Sequence, residues 1–270
     1  MTDSGDTSFQ QAATYQSYLK IPELLSLQQP VSDGPEHDEM LFIVIHQSYE
    51  LWFKQLLHEL ARTQETLEFG KTFDALALLG RVRTILKICV AQIDILETMT
   101  PLQFLTFRGR LASASGFQSA QFRQIEAVLG RRDRGLINHL PPGSPEFQTV
   151  SEIMAGPSVW DSVLSYFSAL GHQVPRDLLQ RDMTQPYEAD ARIQALLLDI
   201  HRSHPESALV CERLVDIDEG LQEWRYRHVK MIERTIGRKT GTGGSTGVDY
   251  LSNTLGKPVF PDLWEVRSQF

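Results

Sequence analysis

Two stretches of the chain, residues 38–69 and 206–236, repeat apolar residues at the three- and four-residue spacing of an α-helix over their whole length. Runs that alternate apolar and polar residues, as a half-buried strand does, are scarce. We therefore predict an all-α fold in which long central helices are surrounded by shorter ones. The further predicted helices cover residues 72–98, 117–130, 146–155, 158–171, 188–202 and 261–266.

The predicted helices belong to one domain. Turns that contain glycine or proline separate them, and no long low-complexity linker or internal repeat interrupts the chain. The first residues are small and polar, so we expect residues 1–14 to form a disordered tail. Residues 15–270 are expected to form a single helical domain, and their number is sufficient to bury a core.

Composition excludes several classes of protein. The chain has a net charge of -8, whereas nucleic acids favour basic partners through counterion release. Its longest uninterrupted apolar run, LFIVI at 41–45, is far shorter than the roughly 20 residues that span a bilayer. Cys89 and Cys211 are the only cysteines, which excludes a disulfide framework, a cysteine zinc site and a CxxCH haem attachment. Because the N-terminus does not resemble a signal peptide, we expect a cytoplasmic protein that binds neither nucleic acid nor membrane.

One histidine lies on the apolar side of the helix predicted at 206–236. Positions three or four residues from His228 include Trp224 and Met231, while charged residues such as Arg225 fall on faces that we expect to be solvated or to face an interface. Such a histidine is more often a core residue whose ring nitrogens find hydrogen-bond partners. The alternative is an axial ligand to haem, which needs only one imidazole on an apolar wall. No HExxH motif or Cys/His cluster supports a zinc site.

A second histidine, His46, shares a predicted helical face with Phe42, Tyr49 and Phe53. It too can be either a structural residue or part of a binding pocket. Two histidines among aromatic residues, on two separate helices, favour one shared pocket without proving it.

The stretch TPLQFLTFRGRLASASGFQSAQFR, at 100–123, combines arginine with phenylalanine. Phe104, Phe107 and Arg108 lie close together in the sequence. Such an arginine is commonly a surface charge, but inside an apolar cleft it can hold a carboxylate through two parallel hydrogen bonds. Ser113 and Ser115 are candidates to cap the helix predicted from residue 117 or to contact a ligand.

The segment GTGGSTG, at 241–247, follows the helix that carries His228. It lacks the Gly-Lys-Ser/Thr of a phosphate-binding loop and the spacing of a dinucleotide fingerprint, so nucleotide binding is not expected. Its backbone N–H groups and the hydroxyl of Thr242 suit a small polar or anionic ligand. A plain surface loop is the alternative.

Together these strings resemble the tryptophan 2,3-dioxygenase family, from about residue 15 to the end of the chain. The resemblance is carried by EMLFIVIHQSYELWFKQLLHEL, TPLQFLTFR, ASGFQSAQFR, LVDIDEGLQEWRYRHVKMIERTIG, KTGTGGSTGVDYL and FPDLWEVR. It implies an all-α homotetramer with one haem b, and therefore one iron, per subunit. It also implies insertion of both atoms of O2 across the indole C2–C3 bond of L-tryptophan, which gives N-formylkynurenine as the first step of the kynurenine pathway.

The resemblance implies roles for individual residues. His228 matches the axial ligand of the haem iron, and His46 matches the catalytic histidine beside the indole N–H. Arg108 matches the partner of the substrate carboxylate, and Thr242 matches a threonine that meets the ammonium and carboxylate. The remaining matched positions surround the substrate: Phe42, Phe104, Leu111 and Ser115, with Tyr15 and Tyr18 supplied by a neighbouring subunit.

Phe104 departs from family members that carry tyrosine at this position. Without that hydroxyl, the substrate carboxylate depends more on Arg108 and Thr242. The nearest alternative function is a haem oxygenase of the same superfamily that inserts one oxygen atom into a substituted tryptophan or indole. A helical haem-binding protein without catalysis is a more distant one. Arg108 and GTGGSTG favour a free amino acid as the substrate.

Overall fold

The computed structural model describes residues 13–34, 36–111, 116–237, 248, 252 and 254–270, and these residues form helices and turns without strands. The all-α prediction is therefore confirmed for this part of the chain. The α-helices of the described residues are α1 (Tyr15–Leu19), α2 (Ile21–Leu25), α3 (His37–Glu68), α4 (Thr72–Leu96), α5 (Pro101–Arg108), α6 (Ala120–Val128), α7 (Pro145–Ala155), α8 (Val159–Ala169), α9 (Arg176–Leu179), α10 (Ala191–Ser203), α11 (Pro205–Ile236) and α12 (Pro261–Glu265).

The three longest helices, α3, α4 and α11, form the centre of the fold. A three-residue turn joins α3 to α4, and its Gly70 has a φ of +67°, a conformation that glycine adopts without strain. Helix α4 packs against both α3 and α11. Fully buried Leu60, Leu79 and Leu214, one from each long helix, belong to the same apolar core. The site is therefore built on rigid, mutually packed helices.

Short polar side chains determine where several helices begin. Thr100 caps α5 in a capping box with Gln103, and Ser119 caps α6 by accepting from the Phe122 N–H. Helix α6 consequently starts at Ala120 rather than at 117. The prediction that Ser113 or Ser115 caps this helix is wrong, because Ser119 occupies the cap position.

Two buried carboxylates attach the segment around α12 to the rest of the domain. Asp218 of α11 accepts hydrogen bonds from the backbone N–H groups of Val259, at 2.9 Å, and Phe260, at 3.1 Å. Asp262 accepts from the backbone N–H of Asp190 at 2.8 Å and also from the Tyr187 hydroxyl. Burial raises the pKa of both carboxyl groups, against the effect of these hydrogen bonds.

The predicted N-terminal tail lies outside the described residues except for residues 13 and 14, of which Thr14 caps α1. The single domain predicted for 15–270 stays a prediction. In the described part of the chain, no helix combines the length and the apolar character that crossing a membrane requires.

Candidate functional site

One cavity, bounded by α3, α4, α6 and α11, brings the two predicted histidines together. His46 projects from α3 and His228 from α11, and both line this cavity. The sequence placed them on separate helices among aromatic residues, and the packing of α3, α4 and α11 brings these helices around a common space. The two histidines thus line one cavity, as the hypothesis of a shared pocket requires.

His228 has no hydrogen-bond partner among the described residues, and its Nδ1 is buried. The indole of Trp224, one turn earlier on α11, stacks on its ring at 4.9 Å between ring centroids with an interplanar angle of 29°. Burial, together with smaller charge interactions with His46 and Arg123, lowers the pKa of His228 to about 4. The ring is therefore neutral at pH 7, which is the form that binds metals.

His46 is held by its own helix. Its Nδ1–H donates to the Phe42 carbonyl oxygen at 2.7 Å, and because a carbonyl can only accept, Nδ1 carries the proton. Burial lowers the pKa of His46, against the opposing effects of Phe42 and Glu50. In the neutral ring Nε2 is consequently unprotonated and acts as a hydrogen-bond acceptor.

Aromatic rings form the apolar wall between the two histidines. Trp224 contacts Phe122 at 4.6 Å between centroids, and Phe122 contacts Phe53 at 5.4 Å. Tyr49 anchors the wall to α4, because its hydroxyl donates to the Cys89 carbonyl at 2.8 Å. Such a wall suits a flat, largely apolar ligand.

A charged cluster forms another part of the cavity wall. The Glu126 carboxylate accepts hydrogen bonds from Arg123, Arg131 and Arg225, and all four side chains line the cavity. Burial would raise the pKa of Glu126, but the three arginines outweigh burial and hold it below its ordinary value. Of the two surroundings expected for Arg225, a solvated face is excluded, because its buried guanidinium reaches Glu126 from α11.

The predicted carboxylate partner lies beside this cavity. Arg108, the last residue of α5, is half-buried. The aromatic rings of Phe104 and Phe107, also on α5, contact the ring of Phe42, which in turn contacts the ring of His46 at 4.1 Å. None of Phe42, Phe104, Arg108 or Leu111 is among the described residues that line the cavity itself. The phenylalanine rings are connected to the cavity through the contact of Phe42 with His46.

Of the remaining predicted site residues, the structure describes Tyr15 and Tyr18 but neither Ser115 nor Thr242. Tyr15 and Tyr18, on α1, are 71% and 76% exposed in the single chain. They therefore lie on the surface, away from the cavity of their own chain.

Sequence reasoning missed Glu126 and its arginine partners. Arg123 and Glu126 are three residues apart on α6, a spacing typical of an ion pair on a helix surface. That spacing alone does not distinguish a buried pair from an exposed one. Arg225 is 99 positions from Glu126, so their pairing has no local signal.

Comparison with known proteins connects this geometry to a family. The chain matches the family profile described as tryptophan 2,3-dioxygenase over residues 1–141 and 154–270. It is 57% identical over 258 residues to the tryptophan 2,3-dioxygenase of Anaeromyxobacter sp. (strain K), with 95% of this chain and 96% of that protein covered. The protein of that name from Herpetosiphon aurantiacus is 55% identical, with 96% and 98% covered. That from Bacillus thuringiensis subsp. konkukian is 41% identical over 266 residues, with 97% and 95% covered.

Proposed function

The chain belongs to the tryptophan 2,3-dioxygenase family, and from this premise we propose that it is a haem-dependent enzyme that converts L-tryptophan and O2 to N-formyl-L-kynurenine. Both oxygen atoms are inserted across the indole C2–C3 bond. The observation that carries the proposal is the pair His46 and His228, which face one aromatic-lined cavity from two helices. Each ring keeps a nitrogen that no described residue occupies.

The chemistry of His228 suits a ligand of the iron in haem b. Its imidazole is neutral, stacked in a fixed plane by Trp224 and without a hydrogen-bond partner among the described residues, so a ring nitrogen is available to iron. In the described part of the chain no group of three histidine, cysteine, aspartate or glutamate side chains is arranged to hold a metal ion. His228 would therefore hold the haem through a single imidazole. Bound haem supplies the iron chemistry that activates O2.

His46 is suited to orient the substrate. Its Nδ1 proton is committed to the Phe42 carbonyl, so Nε2 accepts a hydrogen bond, and the indole of tryptophan has one N–H donor. This bond would fix the rotation of the indole in the pocket. Because burial lowers the pKa of His46, the acceptor form is the one present at pH 7. We assign His46 the role of orienting the indole rather than removing its proton.

The polar end of the substrate is assigned to Arg108. A carboxylate that enters an apolar pocket needs a charged partner, and Arg108 follows the aromatic group of Phe42, Phe104 and Phe107. Leu111, packed against the core, is assigned to the wall of the same pocket. The roles of Ser115 beside the haem and Thr242 at the charged end rest on the family resemblance alone.

A homotetramer is part of the proposal. Tyr15 and Tyr18 project from α1 into solvent, and so much exposed aromatic surface on a short helix is typical of an interaction site. Their assigned role is to complete the pocket of a neighbouring subunit. The cytoplasmic location expected from the sequence stays a prediction.

Isotope labelling tests the reaction. Haem-loaded protein is incubated with L-tryptophan under labelled O2, and the product is examined by mass spectrometry. We expect N-formylkynurenine carrying two labelled atoms. A product with one labelled atom would support the single-oxygen alternative, and absence of turnover in protein that binds haem would contradict the dioxygenase assignment.

A further inference from the structure

Three arginines meet the carboxylate of Glu126 at the cavity wall. Arg123 reaches the Glu126 carboxylate at 2.5 Å, Arg131 at 2.8 Å and Arg225 at 3.1 Å. One carboxylate therefore serves three guanidinium groups. Arg131 also pairs with Asp133, but that carboxylate is 52% exposed and is screened by water. Glu50, elsewhere on the cavity wall, accepts its side-chain hydrogen bond from the Gln121 amide.

A positively charged side chain that is buried at a cavity wall destabilises the protein unless an anion compensates its charge. The Arg225 side chain is 7% exposed, so its positive charge has lost most of its hydration. Glu126 is its one hydrogen-bond partner among the described residues, and the bond uses a single nitrogen, Nη2. Arg225 also lines the cavity, and a guanidinium has further N–H donors that can serve a ligand there.

The position of Arg225 relates it to His228. The two residues are three positions apart on α11, so their side chains leave the helix on the same side, less than one turn apart. A flat group bound at His228 therefore has its edge within reach of Arg225. Haem b carries two carboxylate side groups, the propionates, on one edge.

We propose that Arg225, supported by Arg131, binds a propionate of the haem and so determines which edge of the haem faces α6 and α11. This inference rests on the proposed function, because it requires haem at His228. Glu126 then acts as a positioning residue that holds the arginines at the cavity wall. It also leaves them enough positive charge to attract a second carboxylate.

The test compares ferric haem with its dimethyl ester, in which both propionates are neutral. Apoprotein is titrated with each form and binding is followed by the Soret absorption. Charge-assisted hydrogen bonds are strong, so we expect the native protein to bind haem about tenfold or more tightly than the ester. In Arg225→Gln the ratio of the two affinities should fall close to one. Arg227→Gln, which removes an arginine of the same helix that pairs with Asp94 outside the cavity, should keep the native ratio.

Several results would overturn the inference. Equal affinity of the native protein for haem and ester would do so without any variant, and it would leave the proposed function intact. The same holds if folded Arg225→Gln, checked by circular dichroism, keeps the native ratio. If Arg225→Gln does not fold, the inference is tested with the native protein and with Arg131→Gln. In each, the affinity for haem is compared with the affinity for the ester. A native protein without a Soret band in either titration would overturn the proposed function as well.

The substrate offers a second possible carboxylate for Arg225. Tryptophan binding to the haem-loaded variant is therefore measured from the spectral change that it causes. We expect its affinity to stay within about twofold of native, since a propionate contact does not involve the substrate. A large loss of tryptophan affinity with an unchanged ratio of haem to ester would assign Arg225 to the substrate instead.

Discussion

His201 and His228 lie on neighbouring helices, yet their rings meet different surroundings. His201 of α10 uses both nitrogens, Nδ1 with the Leu197 carbonyl at 2.8 Å and Nε2 with the Glu212 carboxylate at 3.1 Å. His228 of α11 uses neither among the described residues. His46 shares the carbonyl bond of His201 but has no carboxylate at its second nitrogen. Under the proposed function, unused ring nitrogens rather than burial distinguish the two binding histidines from the structural His201.

The buried ion pair at α8 and the charged cluster at the cavity differ in the number of cations that each carboxylate meets. Asp161, at the start of α8, accepts two hydrogen bonds from Arg181, at 2.7 and 2.9 Å, so one anion meets one cation. Glu126 meets three arginines at the cavity. A balanced pair needs nothing further, whereas an unbalanced cluster is prepared for a ligand.

The largest expected effect is the loss of haem from His228→Ala. If the unused nitrogens of His228 are the iron site, removing the ring should abolish the Soret band of the purified protein, because the proposed iron ligand is lost. Absorption spectra of native and variant protein check this. Full haem content in the variant would contradict the inference that His228, unlike His201, is a binding histidine.

His46→Ala should retain haem but turn over more slowly. Loss of the hydrogen bond to the indole leaves the ring free to rotate, and misplacement of a reacting group costs on the order of 100-fold in kcat. Haem content and steady-state kinetics are measured together. If His46→Ala loses haem as completely as His228→Ala, the roles of the two sides of the cavity are reversed.

Arg108→Leu should raise the KM for L-tryptophan by at least about tenfold, because a charged hydrogen bond to the substrate carboxylate is lost. The matched control is Arg110→Leu, which removes an arginine that pairs with exposed Asp33. Its KM should be unchanged. Similar KM values for the two variants would contradict the carboxylate role of Arg108.

Asp161→Asn tests the balanced pair through pH. Burial would raise the pKa of Asp161, but hydrogen bonds from Arg181 and Ser158 hold it below its ordinary value. Folding therefore favours the ionised form, which stabilises the protein above about pH 4, and this contribution is lost as the pH falls through the folded-state pKa. We expect the variant to lose about 1–3 kcal/mol of unfolding free energy at pH 7 and less near pH 3. Urea denaturation at both pH values measures the difference, and a cost independent of pH would argue against an ionic role.

His201→Ala should give the smallest effect. It removes two hydrogen bonds that are partly accessible to water, so we expect a loss of about 1 kcal/mol in the free energy of unfolding. Haem content and kcat should equal those of the native protein. Loss of haem from this variant would show that partnered nitrogens do not mark a structural histidine.

The long helices were predictable because their apolar spacing continues over many turns. Helices α3 and α11 start and end within one residue of the ranges predicted for them. Helix α5 was missed because its eight residues are too few to show a period, although Thr100 and Gln103 form a capping box that marks its start.

The sequence was sufficient to predict the two histidines of the candidate site, but not its charged residues. His46 and His228 each occupy an apolar helical face, which is a local property of the sequence. Residue spacing alone favoured a structural role for His228, and the family resemblance reversed that interpretation. The burial of Arg225 depends on Glu126, a residue on another helix, and no local pattern reports such a contact.

The shared carboxylate of Glu126 has a consequence for the evolution of this chain. Replacing one arginine leaves Glu126 with two partners, whereas replacing Glu126 leaves three cations at a buried wall without their common anion. Mutational tolerance within the cluster is therefore unequal. A lineage can exchange its arginines one at a time, but a change at Glu126 requires compensating changes on α6 and α11 together.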